Sequence, residues 1–592
     1  ASTGAAISEA TNSNCVGAAV AVSVNGNKAQ IVIPNGVQIV VTGTPASGTE
    51  NTDSILGNVA LSTVLNQNST GDALGRYGVL AISGSSSGKG GKVGLAGSVA
   101  VLVAKGTNAI ILGKNVTISG NEKGSVSIEA SDKSKLSAAA MAATKSGGAA
   151  AGVGASFALL YAKNEVLAQA GDNFSVSAKD FSMTATKQAV DINDFKPDTA
   201  VSDFLTVLEV DSKGNGGYKT DDADKYGLIV LQKNQNGSYS VFTNLDTASM
   251  LELIQLTSVL ASVNYYASAV AGTVMERKGD TSNQKAAVAG AVSMLFNDSV
   301  TSVIIGNDAK ITTTVDTRVE ASSQTNTRLL GGALSSSGAK AGIGLNVATA
   351  KQNDKVFATI GNAPEITAGN FRMNAESISD MLVITAAAVN ANGTSVGGAL
   401  NVVINDTGAK ASVGNNADIH ASTSVDILSN VQSNIALGSV TVAISGSQDQ
   451  GASAGAIVSV TTNASASEAT VGDNADITGN SGTITISTIN EEQVISVLAA
   501  AARSGNGGAG AGTLSILTTD AKTVAGVGDN AKLTAANDIT VTAIGNAMLI
   551  DLMLAAAAST DAPAVGATIM VNVFNRETNA YIGDNSVIVS KL

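Results

Sequence analysis

Val471-Gly-Asp-Asn-Ala-Asp-Ile-Thr478 decides how this chain is read, because the same phrase keeps returning along it. It recurs as Val527-Gly-Asp-Asn-Ala-Lys-Leu-Thr534 and as Val413-Gly-Asn-Asn-Ala-Asp-Ile-His420. Looser copies are Ile305-Gly-Asn-Asp-Ala-Lys-Ile-Thr312, Ile360-Gly-Asn-Ala-Pro-Glu-Ile-Thr367 and Tyr581-Ile-Gly-Asp-Asn-Ser-Val-Ile588, and earlier ones centre on Gly113 and Gly171. The spacing carries more weight than the wording. From Gly306 the intervals to Gly361, Gly414, Gly472, Gly528 and Gly583 are 55, 53, 58, 56 and 55 residues, and Gly113 to Gly171 is 58. A fixed period of this size marks a repeat array. Gly171 to Gly306 is 135 residues, one period plus roughly 80 more. A degenerate first copy, Ile33-Pro-Asn-Gly-Val-Gln-Ile-Val40, has its Pro34 79 residues before Gly113, which implies an insertion of about 24.

Every unit has the same internal order. A short alternating strand follows the Gly-Asp-Asn turn, as in Ala531-Lys-Leu-Thr-Ala535, and a second follows a polar turn, as in Ile539-Thr-Val-Thr-Ala543. Next come a longer Ala/Val strand (Val494 to Ala502), a Gly/Ser/Asn turn from Ser504, a mirrored strand (Ala509 to Leu517) and a last short strand around Val524. The alternation has period two and is rich in β-branched residues, so strand is expected despite the helix propensity of alanine. Gly with Asp or Asn is expected to supply positive-φ corners. Roughly five strands per unit, each stacked on its equivalent in the next, predict an all-β, elongated β-solenoid, a parallel β-helix of ~55-residue repeats. Two wide coils or three narrow ones per unit fit the pattern.

Composition agrees. The 592 residues include 63 Gly, only 5 Pro, no Trp and 3% aromatics, while 44% are hydrophobic, much of it Ala and Val. Such residues fill a thin, regular, aliphatic interior better than a large globular core. A transmembrane β-barrel would also show strands of about ten residues, but it would call for aromatic girdles. The most apolar stretch, Ala547 to Ala558, is broken by Asp551 and too short for a membrane helix. A net charge of −13 argues against nucleic acid and against anionic lipid. Cys15 is the only cysteine, so no intrachain disulfide forms, and its Ala/Val surroundings predict a small buried residue.

The alternation of Ala/Gly-rich strands with Val/Ile-Gly-Asp-Asn-Ala-x-Ile turns resembles the repeats of large bacterial exoproteins, the filamentous-haemagglutinin-like and leukotoxin-like surface adhesins. The resemblance covers most of the chain outside the insertions and rests on a repeat grammar rather than a catalytic signature. It implies a right-handed parallel β-helix, exported and displayed at the bacterial cell surface, extracellular, without insertion into the membrane.

The expected organisation is solenoid over residues 1–186 with a short insertion at about 44–67, an α+β knob at 187–260, and solenoid again over 261–592. The knob is rich in Asp, carries a hairpin signal from Tyr226 through Asn236-Gly237 to Phe242, and ends in a helix-like stretch, Thr247 to Leu260. It is the expected contact surface, toward receptors on host or neighbouring cells, because insertions on rigid scaffolds carry function. Within it Asp211, Asn215 and Asp222 have the spacing of a weak calcium loop, and calcium is the one cofactor the sequence raises. Lys213 stands where a ligand oxygen should be, and the knob reads equally well as plain decoration.

No catalytic constellation emerges. His420 is the only histidine, on an alternating strand beside Ile419, where it should face outward; a His-based triad or zinc site has no partners. Carbohydrate-cleaving solenoids need only carboxylates, but they also want aromatic platforms, which are scarce. The expectation is therefore not an enzyme. Thr-x-Thr pairs such as Ile539-Thr-Val-Thr would suit an ice-binding face, yet Ser125-Val-Ser-Ile and Ser424-Val-Asp-Ile break the column. Both ends fall partway through a unit without a capping repeat, so head-to-tail self-association into filaments or continuation in a longer rod is expected. The alternative is the stalk of a secreted toxin or effector.

Overall fold

The computed structural model describes the chain apart from residues 1, 11–12, 42–57, 68–77, 88–92, 121–123, 147–149, 190–204, 210–228, 234–238, 244–263, 276–284, 338–339, 447–450 and 592. The described residues are all-β and form the β-solenoid the repeats predict. No helix among them is long and apolar enough to cross a membrane.

One repeat winds one coil. In a representative coil, strand Ile484–Ser504 lies in a first broad sheet, Ala509–Val527 in a second, and Lys532–Ala535 in a narrow third. Each strand pairs in parallel with its equivalents before and after it; Ile484 lies between Val425 and Ile539, and Ala509 between Ser453 and Ala564. The ladder runs through nine coils, and none of the described sheets closes on itself as a barrel would.

The expected five strands per unit are thus three, and the alternatives of two or three coils per unit give way to one. The reason is chemical. The polar stretch Ile489-Asn-Glu-Glu-Gln493, which reads as a turn, continues the strand with Asn490 and Glu492 pointing inward. Thr518-Thr-Asp520 likewise joins the mirrored strand to the short one that follows it. Strands of about 20 residues make each coil roughly 66 Å across, while nine coils stack to about 43 Å.

At the Gly-Asp-Asn corner the third residue, not the glycine, takes the left-handed conformation: φ is 56° at Asn474 and Asn530 and 58° at Asn416. In the degenerate first copy, Pro34-Asn-Gly36, a glycine fills this third place, with φ 73° at Gly36. Asn tolerates this region better than most residues. The glycines Gly113, Gly171, Gly306, Gly361, Gly414, Gly472, Gly528 and Gly583 are needed for a different reason, which is close stacking. A Cβ on Gly472 would lie 2.7 Å from both the Gly414 carbonyl carbon and Asn415 N of the preceding coil.

The second corner residue must be an acceptor, which explains its Asp/Asn identity. Asn415 N donates to Asn362 Oδ1 (2.9 Å), Asp473 N to Asn415 Oδ1 (2.9 Å), Asp529 N to Asp473 Oδ1 (2.9 Å) and Asp584 N to Asp529 Oδ1 (2.8 Å). Lys114 cannot continue this column, and its ammonium instead reaches Asp172 at 2.7 Å in the next coil.

Both expected insertions meet the first broad sheet. Strand Val59–Leu65, inside the expected 44–67 insertion, pairs in register with Val126–Asp132 and so belongs to the array. The long insertion leaves after Gln188 and returns at Asn264. Its hairpin signal corresponds to antiparallel strands Ile229–Lys233 and Tyr239–Thr243, with Leu205–Glu209 parallel to the first of them. The helix-like stretch 247–260 lies outside the described residues.

Candidate functional site

The interior is not aliphatic throughout. The inward apolar side chains form two large clusters. One joins the narrow sheet to the adjoining ends of the broad sheets, with Ile477, Ile484 and Val527. The other lies between the outer halves of the broad sheets, with Val494, Leu498 and Leu517. A seam of inward polar side chains separates them. Small residues thin the outer part so far that a Cβ on Gly455 would stand 2.7 Å from the Ala501 carbonyl oxygen across the sandwich.

Buried polar groups require partners, and the seam supplies many both within a coil and from coil to coil. Thr327 Oγ1 donates to Gln352 Oε1 (2.7 Å), Gln352 Nε2 to Ser379 Oγ (2.6 Å) and Ser379 Oγ to Asn405 Oδ1 (3.2 Å). Asn405 Nδ2 donates to Asn463 Oδ1 (3.0 Å), and Asn463 Nδ2 to Glu492 Oε1 (2.9 Å), which also accepts from Ser465 Oγ (2.9 Å). Glu492 Oε2 faces Arg576 Nη2 at 3.6 Å.

Burial holds the Glu492 carboxyl above its ordinary pKa of 4.5, against the Ser465 hydrogen bond and the charge of Arg576. A raised folded-state pKa means the folded protein binds this proton more tightly than the unfolded one. The group therefore favours folding most below pH 4.5, and that contribution is lost as pH rises through the folded value. Glu492→Gln is expected to remove this dependence and to match or exceed wild-type stability at pH 7, as the difference in Tm between the two proteins from pH 4 to 8 would reveal.

The same seam carries a buried charge where the long insertion leaves the coil. Lys187 ends strand Asp180–Lys187 and is 1% exposed. Its Nζ donates to Ser299 Oγ at 2.6 Å and lies 5.0 Å from the centre of the Tyr265 ring. Asp132 is its register partner one coil earlier, held by Ser134 Oγ at 2.5 Å. Its partner one coil later is Ser323, which donates to Asp354 Oδ2 at 2.7 Å. Burial works against the ammonium, but the Tyr265 oxygen and the carboxylates of Asp354 and Asp132 outweigh it and hold the Lys187 pKa above its ordinary value. Burial likewise raises Asp132, against Ser134 and Lys187.

Asn264 closes the gap at the other edge. It donates through Nδ2 to Ser134 O (3.1 Å) and Gln188 O (3.0 Å) and accepts from Asn326 N (3.1 Å). Tyr265 OH accepts from Asn164 Nδ2 at 2.7 Å. The two stems of the insertion are thereby fastened to coils on both sides.

The glycines singled out from sequence come together in one stacked corner. Asp211, Asn215 and Asp222, the weak calcium candidate, lie outside the described residues. His420 faces outward, with Nε2 2.7 Å from Asp418 Oδ1. Cys15 is buried at 2% exposure. Among the described residues no three His, Cys, Asp or Glu side chains gather to hold a metal. Sequence reasoning missed Lys187, Asp132, Asp354 and Tyr265. The available signal was parity: in Phe181-Ser-Met-Thr-Ala-Thr-Lys187 the lysine falls on the inward phase shared by Phe181, Met183 and Ala185. No family model, curated protein or solved structure matches the chain.

Proposed function

We propose that this chain is a non-catalytic structural segment of an adhesive fibre displayed outside a bacterial cell, with the solenoid as stiff support and the long insertion as its contact surface. The observation that carries the reading is the parallel ladder maintained in register through nine coils, which gives a scaffold whose stability is a sum over neighbours. The placement of the insertion supports it as well. Its stems are pinned by a buried lysine and a buried asparagine, so a load on the insertion passes directly into the ladder. Receptors on host or neighbouring cells are the partners this reading assigns to it, and head-to-tail association along the coil axis is the mode of growth.

Electron microscopy of the purified full chain tests the proposal. Filaments lengthening along the coil axis, with widths of about 66 Å set by strands of 20 residues, are the expected result. Discrete particles at every concentration, with no tendency to join through the terminal coils, would remove self-association from the reading. A variant lacking residues 190–263 should still form filaments while losing attachment to cells; retained attachment would take the contact role away from the insertion.

A further inference from the structure

The outer halves of the two broad sheets are apolar on both outward faces. On the first sheet Leu334, Ile384, Val440 and Val497 point outward with 49, 44, 48 and 44% of their surface exposed. On the second, Leu345 and Leu400 are exposed to 49 and 39%. Their neighbours along each outward row are largely Val, Ala and Gly; Gly438 and Gly290 have open space where a Cβ would stand. The band ends abruptly. Toward the middle of each strand it meets Asp380, Asn434 and Gln493 on one face and Lys351 and Asp406 on the other.

About ten residues of strand across nine coils make the second sheet's face roughly 33 Å by 43 Å, or about 1,400 Å². On the first sheet Leu80, Ile82, Ala139, Met141 and Tyr266 are already buried on the outward side, so the open face begins at strand Asp316–Ser337 and spans five coils, roughly 33 Å by 24 Å or about 800 Å². The largest apolar patch on a typical monomer is about 300–600 Å². A standard interface takes about 800 Å² from each partner. The second sheet's face therefore exceeds what a stable dimer takes, and the open part of the first sheet's face just reaches it.

We propose that the apolar flank is covered by a second copy of the same chain, packed sheet against sheet. Flat rows of Val, Ala and Gly suit the ~10 Å spacing of stacked sheets. A lipid-facing band would instead be expected to carry aromatic girdles at its borders, and the chain has no Trp and 3% aromatics. Because both faces are apolar, copies add side by side, at right angles to growth along the coil axis. The assignment is independent of the adhesive reading: it requires only the two faces.

Sedimentation velocity and cryo-electron microscopy of the full chain, with and without phosphatidylcholine vesicles, test it. Wild type is expected as laterally paired or thicker particles of at least twice the single-sheet-pair thickness. A Leu345→Lys, Val440→Lys double variant is expected to revert to single thickness with its strand circular dichroism unchanged. Should the double variant lose its strand signal, Val440→Lys alone and Leu345→Thr are measured in its place. Single-thickness wild-type particles, or pairing that survives the charged variants, would overturn the assignment. So would wild type that is single alone but floats with the vesicles, which would make the flank a lipid surface.

Discussion

Lys187→Met is expected to destabilise the coils around the insertion by about 3–5 kcal/mol, the usual cost of removing one partner from a buried charged group. The methionine fills much of the same volume, so the loss is electrostatic. Asp132 and Asp354 remain inside the seam without the cation between them, and Ser299 loses the donor at 2.6 Å. Burial already raises the Asp132 pKa in the presence of Lys187, and without it the carboxyl becomes harder still to ionise. Adding Asp132→Asn should therefore restore part of the loss. Chemical denaturation of the single and double variants measures this, and hydrogen exchange should localise the opening to strands Asp180–Lys187 and Tyr265–Met275. An effect under about 0.5 kcal/mol, the range of ordinary surface changes, would mean that the lysine is not the element closing the gap.

Gly472→Val should be nearly as damaging, for a steric reason. Its Cβ alone would fall 2.7 Å from backbone atoms of the preceding corner, and backbone in a paired ladder cannot step aside. The coil must shift, and the hydrogen bond from Asp473 N to Asn415 Oδ1 goes with it. A loss of about 3 kcal/mol or more is expected from overpacking and a broken bond together. The same substitution at Gly438, whose outward side is open, is the control. Thermal unfolding of the two variants should differ clearly; similar midpoints would show that the corner relaxes freely.

Fold and repeat were legible in the sequence because a coil must present the same corner chemistry each time it returns. Val471-Gly-Asp-Asn-Ala and its copies expose that requirement directly. The number of strands per coil was obscured because polarity served as the sign of a turn, and in Asn490 and Glu492 polarity belongs to the interior. A solenoid can bury Asn, Thr and Glu in a column because the coils above and below supply partners that no local stretch contains. The charged site was hidden by distance: Asp132, Lys187 and Asp354 are 55 and 167 residues apart in sequence and become neighbours only when successive coils are laid in register. The apolar flank was readable as Ala/Val strands, but which of their residues faced outward depended on the two-sheet packing.

One relay in the interior seam passes from donor to acceptor through Thr327, Gln352, Ser379, Asn405 and Asn463, with steps within a coil and steps to the next, and ends on the Glu492 carboxylate. Bonds aligned in this way polarise one another. This relay consequently has an electrical direction as well as a chain direction.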